Sequence, residues 1–594
     1  MKDFVKMTLA TLLGLLIFGV LSLFFTSAMI GALASLGDTA PVMPREGILK
    51  MDMSEISISE QTQEMDPIAF LQSGGAMVTP VGIRSAVNAI NQAAADPAIK
   101  FIYLLPDGIS GGISQIEELR AALDNFRKSN KAVISYMENP TNAGYYLASV
   151  SDKIYLSSYE GGMNTLSGLS SQMFFLKDIL DRIGVNVQLI RHGKYKSAGE
   201  MYIRSSASKE NEEQYREMIS SVWSTWSGEI AKAREISVSD LNSMIDNLEL
   251  NFPSDFKEKG LVDETLTKDE LRSKLCDLYV TDNHKNINTI SLQDYAKLKS
   301  MVPVKKGQAK VAVVYASGEI VDGEDPKNVD GDRFAKILSD IRNDSSVKAV
   351  VFRINSPGGS VFASEKIRNE ISLMKEEKAV IASYGDYAAS GGYWISAGCD
   401  KIFSNATTLT GSIGVFSMIP DFSKVIKEKA HINYTTINSN KHSDMYGLTR
   451  PLDAKETAYM QASVERIYEK FTGIVAEGRD MTVADVDAIA QGRVWTGADA
   501  LEIGLVDEIG TLSDAISYAA LTIDGVSGVD DVEIVEYPKP LTAFETLLES
   551  INGTSGNDIL SGTPFKGIAD AFRSWDASES GKVYARMPYI FEIQ

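Results

Sequence analysis

Ser390 stands in a short small-residue segment that suits a catalytic nucleophile. The segment reads Ala-Ala-Ser-Gly-Gly over 388–392, between a predicted strand at 379–383 and a helix expected to begin near Gly391. A serine oxygen there would lie at the positive end of the helix, and its small neighbours would let a substrate backbone come close. The alternative is an ordinary N-cap serine, which the segment taken alone favours.

A glycine pair after a second predicted strand could supply an oxyanion hole. The sequence Asn-Ser-Pro-Gly-Gly-Ser over 355–360 follows a predicted strand at 349–354. Glycines after a buried strand can turn their backbone N–H groups towards a developing oxyanion. Such a pair alone would indicate only a turn. Combined with the segment around Ser390, it favours a nucleophilic role for that serine.

A serine nucleophile needs a base, and histidine is the usual one. None of the four histidines has an evident orienting partner in the sequence, so we expect surface roles for His192, His284, His431 and His442. A G-x-S-x-G elbow around Ser390 is also absent from the sequence. The other established base is a lysine kept neutral by burial, because desolvation lowers the pKa of an ammonium group. With 58 basic residues, composition cannot select that lysine.

Composition excludes several classes of protein. At 594 residues the chain suggests about four domain-sized units. The net charge of −21 does not supply the attraction to phosphates that nucleic-acid binding requires, so we expect no nucleic-acid partner. Two cysteines, Cys276 and Cys399, allow neither a disulfide framework nor a cysteine-based zinc site. We expect neither a metal nor a cofactor, and whether the cysteines pair stays open.

The N-terminal region predicts a membrane anchor. Met7–Leu36 carries no charge, and about 20 apolar residues are enough for a helix to cross a bilayer. The alternative is a cleaved signal peptide, since Ala32–Ala34 has a small-x-small pattern, although a secretory apolar region is only about 7–15 residues long. Lys2 and Lys6 precede the span, which places the N-terminus in the cytoplasm and the body after Asp38 outside it.

The remainder of the chain contains an internal duplication. KAVISYMENPTNAGYYLASVSDKI from Lys131 matches KAVIASYGDYAASGGYWISAGCDKI from Lys378, at an offset of 247 that becomes 248 at the paired aspartates. Matching blocks also lie upstream and downstream in the same order, which argues for duplication. Short β-branched runs alternate with helical patterns in each half, as in parallel sheets with crossover helices. We take 281–306 as the linker between the halves.

The order of four motifs resembles the signal peptide peptidase A (protease IV) family, in its long, duplicated, membrane-anchored form. The motifs are NSPGGS, DYAASGGYW, TLTGSIGVF and GRVWTGADALEIGLVDEIG. The resemblance implies an α/β fold of two tandem Clp protease/crotonase-like repeats and a Ser–Lys dyad. The family's serine maps onto Ser390, and its Y-K-S-A context maps the lysine onto Lys196, with Lys194 the neighbour most easily mistaken for it.

Analogy with Clp protease suggests the N–H groups of Gly359 and Gly391 as oxyanion donors. Ser412 belongs to the TLTGSIGVF motif, but it could equally be a turn residue, and we assign it no catalytic role.

The internal duplication provides a check on the predicted dyad. At an offset of 248, Asn142 lies opposite Ser390, so the first half lacks the nucleophile. At an offset of 247, Ser443 lies opposite Lys196, so the second half lacks the lysine. Each half therefore holds one member of the dyad, which a purely structural duplication would have no reason to show.

The resemblance also implies a function and an assembly. We expect a serine endopeptidase that degrades cleaved signal peptides and other short hydrophobic peptides through an acyl-enzyme, with lysine as the general base. It would be a homotetramer in the bacterial inner membrane, with a cytoplasmic N-terminus and an extracytoplasmic body. The expected domains are the N-terminus and anchor (1–38), the repeat with the lysine (39–300), the repeat with the serine (301–540) and a C-terminal tail (541–594).

Two functions of other classes compete with this interpretation. A crotonase-like acyl-CoA enzyme would share the fold, but an extracytoplasmic body would be separated from its cofactor. A non-catalytic scaffold of a membrane complex would explain the duplication and the acidity, but not the division of serine and lysine between the halves. The side-chain preference of the enzyme cannot be inferred from any stretch of the sequence.

Overall fold

The protein is described by a computed structural model. Most of the predicted span 7–36 and most of the tail 541–594 lie outside the described residues, so both predictions stay untested there. In the part of the chain that is described, no helix is both long enough and apolar enough to cross a bilayer. The described residues are parts of 6–21, then 41–63, 78–300, 308–323, 325, 327–540 and 582–587.

The first half is built on a six-stranded sheet in which every neighbouring pair is parallel. Its central strands are almost entirely buried, as expected for a sheet covered on both faces by helices. The strands of this half are β1 (Gly47–Asp52), β2 (Ile56–Ser59), β3 (Thr79–Gly82), β4 (Ile99–Leu105), β5 (Val133–Met137), β6 (Lys153–Ser157), β7 (Asn186–His192), β8 (Glu264–Leu266) and β9 (Thr289–Ser291).

Crossover helices connect these strands. The helices of the first half are α1 (Ile83–Ala95), α2 (Ile113–Arg127), α3 (Asn142–Ala148), α4 (Lys177–Ile183), α5 (Glu200–Ile203), α6 (Lys209–Arg234), α7 (Val238–Asp246), α8 (Pro253–Glu258), α9 (Lys268–Tyr279) and α10 (Leu292–Ser300), with a 3₁₀ turn at His284–Asn286.

The second half repeats this arrangement with longer central strands. Its strands are β10 (Ala309–Ser317), β11 (Ile320–Val321), β12 (Val329–Asp330), β13 (Val347–Ser356), β14 (Gly358–Ser360), β15 (Ala379–Ala389), β16 (Lys401–Ser404), β17 (Leu409–Gly411), β18 (Val415–Asp421), β19 (Val494–Thr496), β20 (Glu508–Ile509) and β21 (Val532–Tyr537), to which the tail adds β22 (Tyr584–Arg586).

The helices of the second half occupy the same places between its strands. They are α11 (Gly331–Asn343), α12 (Val361–Lys375), α13 (Gly391–Ser396), α14 (Ala454–Gly478), α15 (Val483–Ile489), α16 (Gly497–Glu502) and α17 (Leu512–Leu521), with a π-helical turn at Val425–Lys429 and a 3₁₀ turn at Val529–Asp531.

The strand order confirms the predicted duplication. The first sheet runs β8-β6-β5-β4-β1-β9, and the second contains the matching path β20-β16-β15-β13-β10-β21. The matched GLVDE blocks form the same local structure in both halves. Each block leads into a short edge strand, which is followed by a helix with a capping box. Those boxes pair Thr267 with Glu270 and Thr511 with Asp514.

The predicted linker at 281–306 is too long. Strand β9 pairs with β1 at the edge of the first sheet, and Leu292 and Tyr295 of α10 are buried in its core. The linker was predicted too long because strand β9 has only three residues and is polar at both ends. It therefore shows no clear alternation of apolar and polar residues.

A third sheet joins the two halves. It runs β12-β11-β14-β22-β18-β7, so that β7 of the first half pairs antiparallel with β18 of the second. The register pairs His192 with Val415 and Asn186 with Asp421. This pairing carries the chain that follows β7 into the second half.

The halves also share a buried core. Ile90 of α1, Leu119 of α2, Val313 of β10 and Ile516 of α17 belong to one apolar cluster. Burial of this continuous surface stabilises the two repeats as one unit, because apolar area contributes about 25 cal/mol per Å² removed from water.

A buried charge network crosses the same interface. Nε of Arg353 lies 2.7 Å from Oε2 of Glu60, and its Nη2 lies 2.8 Å from Oε1 of Glu118. Arg353 also donates to the carbonyl oxygen of Tyr384 at 2.8 Å. Burial raises the pKa of Glu118, and the Arg353 guanidinium opposes that rise. The arginine comes from the second half and both carboxylates come from the first.

Candidate active site

Ser390 lies at the junction of β15 and α13, as predicted. It is fully buried, and its backbone N–H donates to the carbonyl oxygen of Gly411 at 2.8 Å. Its φ of 56° and ψ of −109° are unusual for a residue that is not glycine. Such strained backbone conformations are concentrated at functional sites. The N-cap alternative is not supported, because among the described residues its side chain makes no capping hydrogen bond to α13.

Lys196 reaches this point from the first half through the turn after β7. Gly193 in that turn has a φ of 104°, and a Cβ there would lie 2.4 Å from the carbonyl oxygen of Gln491. The same carbonyl accepts the N–H of Tyr195 at 2.9 Å, which fixes the turn against the second half. Lys196 is fully buried, whereas Lys194 is exposed and its Nζ lies 4.9 Å from the ring centre of Tyr195.

The two predicted residues are in direct contact. Nζ of Lys196 lies 2.8 Å from Oγ of Ser390. It also donates to the carbonyl oxygen of Ser412 at 3.1 Å and lies 3.0 Å from Oγ of the same residue. Ser412 was assigned no catalytic role from its sequence context. Its membership of the TLTGSIGVF motif was the available signal.

The environment of Lys196 favours the neutral amine. Burial lowers the pKa of Lys196 well below its usual range, because an ammonium group loses its hydration there. A buried amine beside a serine hydroxyl is the arrangement required of a general base.

The two predicted glycines lie beside each other near Ser390. A Cβ added to Gly391 would lie 3.0 Å from the backbone nitrogen of Gly359 and 2.9 Å from Oγ of Ser364. Gly358 has a φ of 97°, and a Cβ there would lie 2.6 Å from the nitrogen of Gly391. Close approach of these backbone segments therefore requires glycine.

The histidines have other partners. His192 stacks on Tyr468 with ring centres 3.9 Å apart, and Nδ1 of His442 lies 2.8 Å from Oε1 of Glu456. His284 and His431 are exposed. Within the described part of the chain, no histidine is hydrogen-bonded to Ser390 or Lys196.

One group of side chains has the composition of a metal site. His442, Asp453 and Glu456 could each direct a ligand atom to a common point. However, Arg450 donates to both carboxylate oxygens of Glu456 at 2.7 Å, and it also pairs with Asp444. We therefore interpret the group as an ion-pair cluster around the start of α14.

The residues opposite the dyad in the duplication have structural contacts. The side chain of Asn142 accepts the N–H groups of Ser167 and Gly168 at 3.0 and 3.1 Å. Ser443 lies in an exposed turn and donates to the carbonyl oxygen of Asn440 at 2.6 Å. Asn142 and Ser443 thus stabilise local turns at the positions equivalent to Ser390 and Lys196.

Comparisons with known proteins identify the family of this chain. The model of peptidase family S49 matches residues 125–280 and 372–524. Protease 4 of Haemophilus influenzae is 36% identical over 444 residues, covering 73% of this chain and 72% of that protein. Protease 4 of Salmonella typhi is 34% identical over 482 residues, covering 79% and 76%. The chloroplastic serine protease SPPA of Arabidopsis thaliana is 32% identical over 472 residues, covering 78% and 69%.

Among solved structures, ClpP1 from Listeria monocytogenes covers 34% of this chain and 92% of its own, with 19% identity and a TM-score of 0.23. So low a score adds nothing to the assignment, which rests on the family match and on relatives that share more than two thirds of their length with this chain. The chain belongs to peptidase family S49 and is a serine peptidase.

Proposed function

We propose that this peptidase is a membrane-anchored endopeptidase that degrades cleaved signal peptides and other short hydrophobic peptides. Ser390 is its nucleophile and Lys196 its general base. The observation that carries the proposal is the buried 2.8 Å contact between Nζ of Lys196 and Oγ of Ser390.

The contacts of Lys196 suggest how the base is oriented. A neutral amine has two N–H donors and one lone pair. The carbonyl oxygen of Ser412 can only accept, and Oγ of Ser412 lies 3.4 Å from the carbonyl oxygen of Gly492, to which it donates. If both N–H groups of the amine point at Ser412, its lone pair faces the hydroxyl of Ser390.

The reaction then follows the usual course of acyl transfer. Oγ of Ser390 attacks the peptide carbonyl while Lys196 accepts its proton, and the same proton passes to the leaving amine. A water activated by Lys196 hydrolyses the acyl-enzyme. The N–H groups of Gly359 and Gly391 stabilise the oxyanion, and losing one such donor typically costs about 2.7–4 kcal/mol in the barrier.

The substrate class and the membrane location rest on relatives and on the sequence. A putative signal peptide peptidase SppA of Enterococcus faecium is 35% identical over 212 residues, covering 36% of this chain. An apolar N-terminal anchor would place the body beside the bilayer, where hydrophobic peptides accumulate. The proposed location is the bacterial inner membrane, with the body on the extracytoplasmic side.

A homotetramer would pair segments that are left without a partner strand in one copy. At the repeat offset of 247, residues 433–439 correspond to β7 and residues 168–174 to β18. Neither segment forms a strand in the described chain, and Ile437 is 92% exposed. Pairing them between copies would repeat the β7–β18 contact around a ring. Light scattering of the active protein checks this, and a fully active monomer would contradict it.

The substrate proposal is tested with synthetic signal peptides in detergent micelles. The full-length protein should cut them within the apolar region, as read by mass spectrometry, and Ser390→Ala should not. Binding of acyl-CoA without peptide hydrolysis would favour the acyl-CoA enzyme instead. Absence of both activities would favour the scaffold.

The pH dependence of hydrolysis should report the lysine. Because only the neutral amine accepts a proton, kcat/KM should increase as pH increases through the lowered pKa of Lys196 and then reach a plateau. Stopped assays between pH 5 and 10 measure the profile. The His192→Ala variant should show the same profile, and loss of the rising limb in that variant would contradict a lysine base.

Gly492→Ala should reduce kcat/KM by about 100-fold, the usual effect of displacing a catalytic group by about 1 Å. Gly492 has a φ of 80°, and a Cβ there would lie 2.6 Å from both the Cβ and the nitrogen of Lys196. Steady-state kinetics measure the loss. Gly473→Ala is the matched control, because a Cβ at Gly473 meets nothing within 4 Å. Equal activity of the two variants would show that the position of Lys196 is not critical.

A further inference from the structure

The loop that carries Lys196 lies between two charged side chains that contact each other. Arg191 stands near the end of β7, five residues before the lysine, and Glu200 begins α5, four residues after it. Successive side chains of a strand point to opposite faces, so Arg191 and His192 leave β7 on different sides. The ring of His192 stacks on Tyr468 of α14, and the guanidinium of Arg191 reaches the lysine loop.

Arg191 contacts the backbone of the lysine itself. Its Nη1 donates to the carbonyl oxygen of Lys196 at 2.7 Å and to Oε1 of Glu200 at 3.2 Å. Hydrogen bonds from a guanidinium are about twice as strong as those between neutral groups. The carbonyl that Arg191 holds belongs to the residue whose side chain must reach Ser390, so movement of that backbone would displace the amine.

Glu200 fixes the other end of this contact. It is fully buried, and its Oε2 accepts the N–H of Ser208 at 3.1 Å and an N–H of the Asn211 amide at 3.3 Å. Ser208 caps α6, and Asn211 lies in the first turn of that helix. A buried carboxylate requires a cation, and the side chain of Arg191, which is 28% exposed, supplies it. Glu200 thus holds the guanidinium between the start of α6 and the lysine loop.

We propose that Arg191 is a positioning residue for the general base, because it holds the carbonyl of Lys196 while Glu200 orients its guanidinium. This inference rests on the proposed function. The carbonyl oxygen of Gln491 holds the loop from the second half, whereas Arg191 and Glu200 fix it within the first. With its backbone fixed from both halves, the lysine keeps its amine within reach of the serine.

The pH dependence of the enzyme should report this role. In the described part of the chain, burial is what lowers the pKa of Lys196, so removing a charge elsewhere does not act on that pKa directly. Loss of Arg191 frees the loop and admits water to the amine, and the pKa of Lys196 then rises towards the usual value of about 10.4. The rising limb of kcat/KM should move to higher pH. A residue that only stabilises the fold would leave that limb in place.

The first test is full-length Arg191→Met, assayed by steady-state kinetics on a synthetic signal peptide in detergent micelles. At pH 7 its kcat should fall about 100-fold, the usual effect of displacing a catalytic group by about 1 Å, with little change in KM. The rising limb should move up by about one pH unit. Arg204→Met is the control, because Arg204 is exposed and donates to the carbonyl oxygen of the nearby Ser206. A change in KM alone, or a limb in the place found for Arg204→Met, would overturn the proposal.

A double variant separates positioning from stability. Arg191→Met leaves the buried Glu200 without its cation, which should lower Tm. Adding Glu200→Gln removes that charge and should recover part of the loss in Tm. In the double variant kcat should stay low and the limb shifted, since the carbonyl of Lys196 is still without its donor. The double variant also carries the kinetic test if Arg191→Met does not fold. Recovery of kcat together with Tm would show that Arg191 acts only through stability.

A labelling experiment distinguishes this inference from the proposed function. Full-length Ser390→Ala, with and without Arg191→Met, is exposed to a pulse of acetic anhydride, and acetylation is read by mass spectrometry with the exposed Lys194 as the internal reference. Lys196 should be acetylated about 10-fold faster when Arg191 is absent, because local opening gives the reagent access to the amine. If the wild type cuts no peptide but this difference persists, the proposed function fails and the inference stands. Equal labelling of Lys196 in both proteins would overturn the inference, even in an active enzyme.

Discussion

Lys196→Arg should lower kcat/KM by about 10⁴-fold, the upper range for loss of a general base. A guanidinium stays protonated in proteins and cannot accept the proton of Ser390. Lys196→Ala should be equally inactive, because it removes the amine that lies 2.8 Å from the serine oxygen. Initial rates on a peptide substrate measure both, with Lys194→Ala as the control that keeps its activity.

The buried amine of Lys196 should also lower the stability of the folded protein. The folded state holds Lys196 with a lowered pKa, so between that pKa and the usual lysine value it binds fewer protons than the unfolded chain. The free energy of unfolding should therefore increase with pH from that lowered pKa up to the usual lysine value of about 10.4. Lys196→Met removes this dependence and should raise Tm at pH 7. Substantial activity in Lys196→Arg, or a lower Tm in Lys196→Met, would contradict a buried neutral base.

Arg353→Met should lower the free energy of unfolding by about 3–5 kcal/mol, the usual cost of removing one partner from a buried ion pair. The change leaves Glu60 and Glu118 buried together without the cation that lies 2.7 and 2.8 Å from them. Denaturant titration followed by circular dichroism measures the loss. Because both carboxylates belong to the first half, the two halves should separate more easily in the variant.

A surface ion pair provides the control for Arg353. Arg127 and Asp152 lie 2.8 Å apart but are each about one third exposed, so Arg127→Met should cost at most about 1 kcal/mol. Adding Glu60→Gln and Glu118→Gln to Arg353→Met should recover part of the stability, since neither of these two positions then carries a charge without its partner. A loss in Arg353→Met no larger than in Arg127→Met would show that the network does not hold the halves together.

Local sequence was sufficient to predict the strand and the helix on either side of Ser390. The small-residue segment correctly located Ser390 between a strand and a helix, because such junctions depend on neighbouring residues. The repeat predicted matching sheets, since the same blocks form the same strands and caps in both halves. The pairing of Ser390 with Lys196 required family resemblance, because 194 positions separate them in the chain.

Contacts made across the interface could not be found from local patterns. The burial of Arg353 between two glutamates depends on how the halves pack, and a single arginine in a strand carries no sign of its partners. The contacts of Ser412 and Gly492 with Lys196 depend on the pairing of β7 with β18, because β7 and the lysine lie far from both residues in the sequence. The final segment 583–591 is apolar enough to pack, but strand β22 could not be predicted as a strand, because three residues are too few to set a pattern and take their place from the strands on either side.

The proposed division of the Ser–Lys dyad between the repeats has an evolutionary consequence. A fused pair in which each copy retained both reactive residues could lose one copy and remain an enzyme. In this chain the first copy carries Asn142 in place of the serine, and the second carries Ser443 in place of the lysine. Deleting either copy would remove one member of the proposed dyad. If the proposed dyad is the catalytic one, neither repeat can be lost without loss of activity, and selection for peptidase activity maintains the doubled gene.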